Sequence, residues 1–159
     1  MIFVTLGTQD KPFDRLLKTI EKEIIAGNIK TKVIVQAGTT KYDSEYMEVK
    51  DFFDTKEFDN YVEKCELLIT HGGVGSIFTG LKKGKTVIAA ARLAKYGEHD
   101  NDHQLQVIEK FEADGYILVL RDFNKLDKVL EKAKKFVPKT LETGKSRMIN
   151  ILEEYIDSL

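Results

Sequence analysis

An apolar run followed directly by a glycine-rich turn constrains the fold of this chain more than any other feature. Residues 67–70 carry no charge, and the turn over residues 71–76 contains three glycines. Glycine lets a backbone approach a ligand closely, and the free N–H groups that open a helix attract anions. The pattern therefore predicts a strand, a phosphate-binding turn and a helix. The alternative at this point is a turn whose glycines only relieve crowding.

Strand-like and helix-like patterns alternate along the rest of the chain. The predicted strands cover residues 1–6, 32–36, 67–70, 86–91 and 116–120, with a further short strand within 46–53. The predicted helices cover residues 14–25, 56–64, 77–83, 101–112, 123–136 and 143–156. Such alternation predicts an α/β fold, a Rossmann-like doubly wound parallel sheet whose ligand lies beyond the carboxyl ends of the strands.

Length and charge narrow the possible functions. A chain of 159 residues predicts a single domain over residues 1–159. The 25 basic and 26 acidic residues give no electrostatic case for a nucleic-acid partner. The single cysteine, Cys65, cannot form an internal disulfide, which favours a cytoplasmic location. Because no run of about 18 apolar residues occurs, we expect that the chain does not cross a membrane by itself.

Polar residues gather in three loops that follow predicted strands. Gly7, Thr8 and Gln9 follow the first strand, residues 71–76 follow a central one, and the third loop spans residues 92–104. Because the carboxyl ends of parallel strands share one edge of a sheet, these loops predict ligand contacts. The alternative for the third loop is helix capping by its aspartates.

The sequence gives less support for a metal site or a hydrolase site than for a phosphate-binding turn. His99 and His103 lie four residues apart with Asp102 beside them, but zinc sites usually bring three or four ligands. Ser76 lacks the pattern of a nucleophile elbow, which has glycine two residues to each side. We therefore predict neither a metal nor a cofactor.

These motifs in their order resemble the C-terminal, donor-binding half of family 28 glycosyltransferases. The resemblance rests on residues 4–9 with Pro12 and Phe13, on residues 71–76 and on residues 101–104. The chain is most similar to stand-alone bacterial subunits of capsular and exopolysaccharide biosynthesis. It is also similar to the eukaryotic catalytic subunit that adds the second N-acetylglucosamine to dolichol-linked sugar.

The resemblance implies one half of a GT-B enzyme that is divided between two chains. This chain would bind a UDP-sugar as donor substrate, and a membrane-associated partner subunit would supply the acceptor half. The implied reaction is an inverting transfer of a hexose or N-acetylhexosamine to a lipid-linked acceptor, with the chain held at the inner face of the membrane through its partner. Two alternatives are a non-catalytic nucleotide-binding subunit that enhances or regulates a partner transferase, and a relative of nucleotide-sugar epimerases, which need both halves in one chain.

The resemblance also implies which residues bind the donor. They are Gly7, Thr8, Gln9, His71, Gly72, Gly73, Val74, Gly75, Ser76, Glu98, Asp102, His103 and Gln104. The turn over 71–76 would hold the diphosphate, residues 102–104 with Glu98 would reach the sugar, and Gly7 to Gln9 would face the acceptor. Relatives often carry an acidic residue for the ribose where this chain has Thr79. No catalytic base is assigned, and His71 and Glu98 are the candidates.

Overall fold

The computed structural model describes residues 1–7 and 9–140, in which six parallel strands form one sheet. The strands are β1 (Ile2–Thr5), β2 (Val33–Gln36), β3 (Glu48–Lys50), β4 (Leu67–His71), β5 (Thr86–Ala90) and β6 (Leu118–Val119). Their order across the sheet is β3-β2-β1-β4-β5-β6, and every neighbouring pair is parallel. The predicted doubly wound sheet is confirmed, including the short strand within residues 46–53.

Five helices cover the two faces of the sheet. They are α1 (Asp14–Ile25), α2 (Thr55–Lys64), α3 (Val74–Lys82), α4 (His103–Ala113) and α5 (Leu126–Lys135). Apolar side chains of α1 and α5 pack on one face, and those of α2, α3 and α4 pack on the other. The predicted helix over 123–136 is divided into a 3₁₀ turn, Phe123–Lys125, and α5. The predicted helix over 143–156 lies outside the described residues.

The central strands β1, β2 and β4 are mostly apolar because both faces of the sheet are buried there, whereas the edge strand β3 is partly exposed and charged. Ile2 and Val4 belong to the core beneath α1 and α5, while Phe3 between them belongs to the opposite core. Alternation of side chains along a strand produces this division. No helix within the described part of the chain is long and apolar enough to span a membrane.

β1 and β4 lie side by side at the centre of the sheet, and the chain leaves them in opposite directions across it. From β1 the chain passes through α1 to β2 on one side, and from β4 it passes through α3 to β5 on the other. Ligands of open α/β sheets bind in the crevice that forms at such a switch point, beyond the strand ends. The fold thus singles out the loops that follow β1 and β4.

Candidate functional site

A cleft of about 460 Å³ opens at this switch point. It is lined by Thr5, Gly7, Gln9, Gln36, Phe52, Phe53, Thr55, Phe58, His71, Gly73, Gly75 and Ser76. The structure therefore brings the described residues of the loop that follows β1, here called the β1 loop (residues 6, 7 and 9–12), together with the glycine turn. Phe52, Phe53 and Phe58 form an aromatic wall of the cleft. The first two lie in the segment that joins β3 to α2, and Phe58 lies in α2 itself.

The amino end of α3 faces this cleft without a cap. Gly73 is the N-cap residue, and within the described residues no side chain accepts a hydrogen bond from the first turn. That turn contains no acidic residue, and a Cβ added at Gly75 would meet no atom within 4 Å. Free N–H groups and the positive end of the helix dipole, with open space before them, form a site suited to an anion.

The other glycines of the site make room for His71. A Cβ added at Gly7 would lie 2.4 Å from His71 Nε2, and one added at Gly73 would lie 2.2 Å from His71 Cε1. Gly7 also has a φ of 76°, in the left-handed region that glycine adopts without strain. The imidazole is thus held between the β1 loop and the glycine turn, and any side chain at either glycine would displace it.

His71 is a neutral imidazole at physiological pH. Its side chain is buried, and burial, helped by the positive charges of Arg92 and His99, lowers the pKa of His71 from 6.5 to about 3. Its Nδ1 has no hydrogen-bond partner among the described residues. A neutral ring can donate one hydrogen bond toward the cleft, but a pKa this low makes it a poor proton acceptor.

Gly72 serves a different purpose from its neighbours, since it lets α4 approach the turn. A Cβ added at Gly72 would lie 2.8 Å from Gln104 Cβ. Gln104 is buried, and its Oε1 accepts a hydrogen bond of 3.2 Å from the Arg92 N–H. Gln104 therefore packs behind the glycine turn and does not line the cleft.

Glu98 lies in the loop that follows β5, here called the β5 loop (residues 91–102), and its carboxylate is fully engaged. Arg15 donates two hydrogen bonds of 2.9 Å, one to each carboxylate oxygen, and the Leu93 N–H donates a third of 3.1 Å. The Arg15 guanidinium lies between the rings of Tyr96 and Phe123, 4.3 and 3.8 Å from their centroids. Glu98 is 3% exposed and holds this loop to α1.

The side chains just before α4 accept hydrogen bonds from backbone N–H groups of nearby residues. Asp102 Oδ1 accepts a hydrogen bond of 2.9 Å from the Ala94 N–H, and Asn101 Oδ1 accepts one of 2.9 Å from the His103 N–H. These bonds begin α4 at His103, two residues later than predicted. Asp102 is the N-cap residue of α4, but its side chain makes no capping hydrogen bond to that helix and instead holds Ala94 of the same loop.

The predicted donor-binding residues that the structure describes fall into three groups. The first group lines the cleft and consists of Gly7, Gln9, His71, Gly73, Gly75 and Ser76. The second belongs to the glycine turn without lining the cleft and consists of Gly72 and Val74. The third is not among the lining residues and consists of Glu98, Asp102, His103 and Gln104. Thr8 lies outside the described residues. In the described part of the chain, no three histidine, cysteine or acidic side chains gather as a metal-binding group.

Sequence reasoning missed the aromatic wall of the cleft. Phe52 is 49% exposed there, and Phe53 and Phe58 line the cleft beside it. Gln36 at the end of β2 fixes this segment, because its Oε1 accepts a hydrogen bond of 2.8 Å from the Phe53 N–H. The signal was the aromatic pair Phe52 and Phe53, which lies in the range 46–53 where a short strand was predicted and which the structure places after the end of β3 at Lys50.

Known families and structures place this geometry in context. Residues 1–157 match the sequence model described as glycosyltransferase family 28 C-terminal domain. The fold is similar to the NMR solution structure of ALG13, with 21% identity, a TM-score of 0.58 and 87% of each chain covered. It is also similar to the crystal structure of the glycotransferase of kitacinnamycin, with 17% identity and a TM-score of 0.59, covering 83% of this chain and 34% of that one. No curated protein matches the chain.

Proposed function

Since this chain belongs to the glycosyltransferase family 28 C-terminal domain family, we propose that it binds the UDP-sugar donor of an inverting glycosyltransferase. The observation that carries this proposal is the uncapped amino end of α3, which opens into the cleft at the switch point of the sheet. The sugar is a hexose or N-acetylhexosamine, and the acceptor is lipid-linked.

The diphosphate of the donor lies against the first turn of α3 in this proposal. The N–H groups of Val74, Gly75 and Ser76 point at the leaving phosphate, where negative charge grows as the bond to the sugar breaks. A preorganised donor of this kind contributes about 3 kcal/mol to the stability of a transition state. The neutral ring of His71 adds a hydrogen-bond donor without a charge.

The uracil ring lies against the aromatic wall in this proposal. Phe52, Phe53 and Phe58 offer apolar surface to the cleft, and planar bases stack on such side chains. Thr55 and Gln36, which also line the cleft, bring polar atoms to the same region. A diphosphate at α3 and a base at this wall together fill one continuous cleft.

We propose that the partner chain supplies the catalytic base. The low pKa of His71 makes its ring a weak acceptor, and both oxygens of Glu98 are hydrogen-bonded to Arg15. A separate, membrane-associated subunit that binds the acceptor completes the cleft and holds this chain at the cytoplasmic face of the membrane.

Calorimetry with UDP tests the phosphate site. We expect wild type and Gly75→Ala to bind UDP within about threefold of each other, because the added methyl group meets open space. Gly75→Asp places a carboxylate where the diphosphate lies and should weaken binding about a hundredfold through charge repulsion. Equal affinities for all three proteins would overturn the assignment.

Reconstitution with the partner separates a catalytic role from a purely regulatory one. If this chain holds the donor, a mixture of the partner with Gly75→Asp transfers no sugar. If this chain only enhances a partner that binds its own donor, the same mixture retains the activity seen with wild type. Gly75→Ala serves as the matched control in both cases.

A further inference from the structure

Arg92 follows β5 closely and is buried, with only 1% of its surface exposed. Its Nη2 donates a hydrogen bond of 2.6 Å to the Leu6 carbonyl, and its Nη1 donates bonds of 2.5 and 3.2 Å to the carbonyls of Lys11 and Glu98. All three acceptors are backbone oxygens. Leu6 and Lys11 belong to the β1 loop, and Glu98 belongs to the β5 loop, so one guanidinium joins both loops.

The same residue also reaches the glycine turn. The Arg92 N–H donates to Gln104 Oε1, and Gln104 packs against Gly72. Arg92 is therefore linked to segments that follow three of the strands, namely β1, β4 and β5. A planar guanidinium presents five donors in a fixed fork, whereas lysine presents three donors from one point, so lysine cannot reproduce this span.

Two further contacts join the β1 and β5 loops nearer the surface. Lys11 forms an ion pair with Asp100, and the side-chain nitrogens of Gln9 and His99 lie 3.3 Å apart. The exposed Lys11–Asp100 pair contributes little to stability, because water and salt screen it. Hydrogen bonds from a buried guanidinium are stronger, and the loss of the donor would leave buried carbonyls without partners.

We propose that Arg92 is a positioning residue that fixes the β1 loop, which lines the cleft, against the β5 loop. The β1 loop carries Gly7 and Gln9 into the cleft, and the β5 loop leads into α4. Any effect of Arg92 on the binding of donor and acceptor rests on the proposed function. The coupling of the two loops through Arg92 is independent of that function.

Hydrogen–deuterium exchange on the full chain tests the coupling. We expect Arg92→Lys to raise amide exchange about tenfold in both loops together, while β4 and α3 keep wild-type rates. Arg121→Lys is the matched control, because Arg121 donates a fork of 2.7 and 3.0 Å to Glu112 on the exposed surface and bridges neither loop. Faster exchange in one loop only, or in neither, would overturn the proposal.

A second variant tests the same coupling if Arg92→Lys fails to fold. Arg92→Met keeps the length of the side chain and removes its charge, so it packs without the cost of burying a cation. We expect the same paired loosening in this variant. If either variant folds with both loops at wild-type exchange rates, Arg92 does not couple them.

Calorimetry then tests the consequence for the donor. We expect Arg92→Lys to keep its affinity for UDP within about threefold, because the phosphate turn is built from β4 and α3. The variant should lose the extra affinity that the sugar of UDP-glucose or UDP-N-acetylglucosamine gives the wild type. A wild type that binds no UDP would overturn the proposed function and leave the exchange result intact, whereas unchanged exchange with normal UDP binding would overturn only the role of Arg92.

Discussion

His71 shows how a titratable side chain can line a cleft without contributing a charge. Its ring lies between Gly7 and Gly73, and burial lowers its pKa from 6.5 to about 3. In the unfolded chain the same imidazole titrates normally. Between these two pKa values, the unfolded state binds one more proton than the folded state, so folding stability depends on pH.

We expect the stabilising effect of a neutral His71 to be fully present above pH 6.5 and to be lost as pH falls from 6.5 toward 3. Between pH 7 and pH 5 this linkage removes about 2 kcal/mol from the free energy of unfolding. Urea denaturation of wild type and His71→Asn at both pH values measures it. The variant should lose less stability than wild type over this interval, and equal losses would show that the folded pKa of His71 is not depressed.

At the scale of the element, α3 carries two glycines with opposite roles. Gly75 lies in the first turn, where an added Cβ meets no atom within 4 Å. Gly80 lies five residues later on the buried side, where an added Cβ would lie 2.7 Å from Leu68 Cδ2 and 2.9 Å from Val87 Cγ2. The first position has room for a side chain, whereas the second glycine lets the helix approach β4 and β5.

The same substitution should therefore have opposite effects at the two positions. We expect Gly75→Ala to stabilise the protein by about 0.5–1 kcal/mol, because alanine favours a helix and fits here. Gly80→Ala should destabilise it by about 1–3 kcal/mol through overpacking, despite the same gain in helix propensity. Chemical denaturation of both variants measures the difference. Stabilisation by both would mean that α3 does not pack as closely on the sheet as its contacts indicate.

Elements were easier to predict from the sequence than the directions of side chains. Apolar runs and helical spacing located all six strands and the helices of the described chain, because both patterns are local. Glu98 and Gln104 were predicted to reach the donor, yet Glu98 is bound by Arg15, which lies 83 residues earlier in the chain. A polar side chain in a loop looks the same in a sequence whether it faces a ligand or holds a neighbouring loop.

At the scale of the whole molecule, the cleft depends on segments that are distant in sequence. The β1 loop, the end of β2, the aromatic segment before α2 and the glycine turn after β4 all line it. Parallel pairing of β3, β2, β1 and β4 brings these four segments to one edge of the sheet. A ligand that fills the cleft contacts all of them at once and therefore stabilises the folded chain as a unit.

We expect UDP to raise the thermal unfolding temperature of the full chain. A ligand at a hundred times its Kd adds about 2.7 kcal/mol to the free energy of unfolding. For a chain of this size that corresponds to a rise of about 5–10 °C. Uridine, which lacks the phosphates, should give a smaller shift at the same concentration, and Gly75→Asp should lose most of the UDP shift while Gly75→Ala keeps it. Differential scanning calorimetry measures the shifts of wild type with UDP and with uridine, and the UDP shifts of the two variants. Equal shifts from uridine and UDP would place the binding energy at the aromatic wall and not at the amino end of α3.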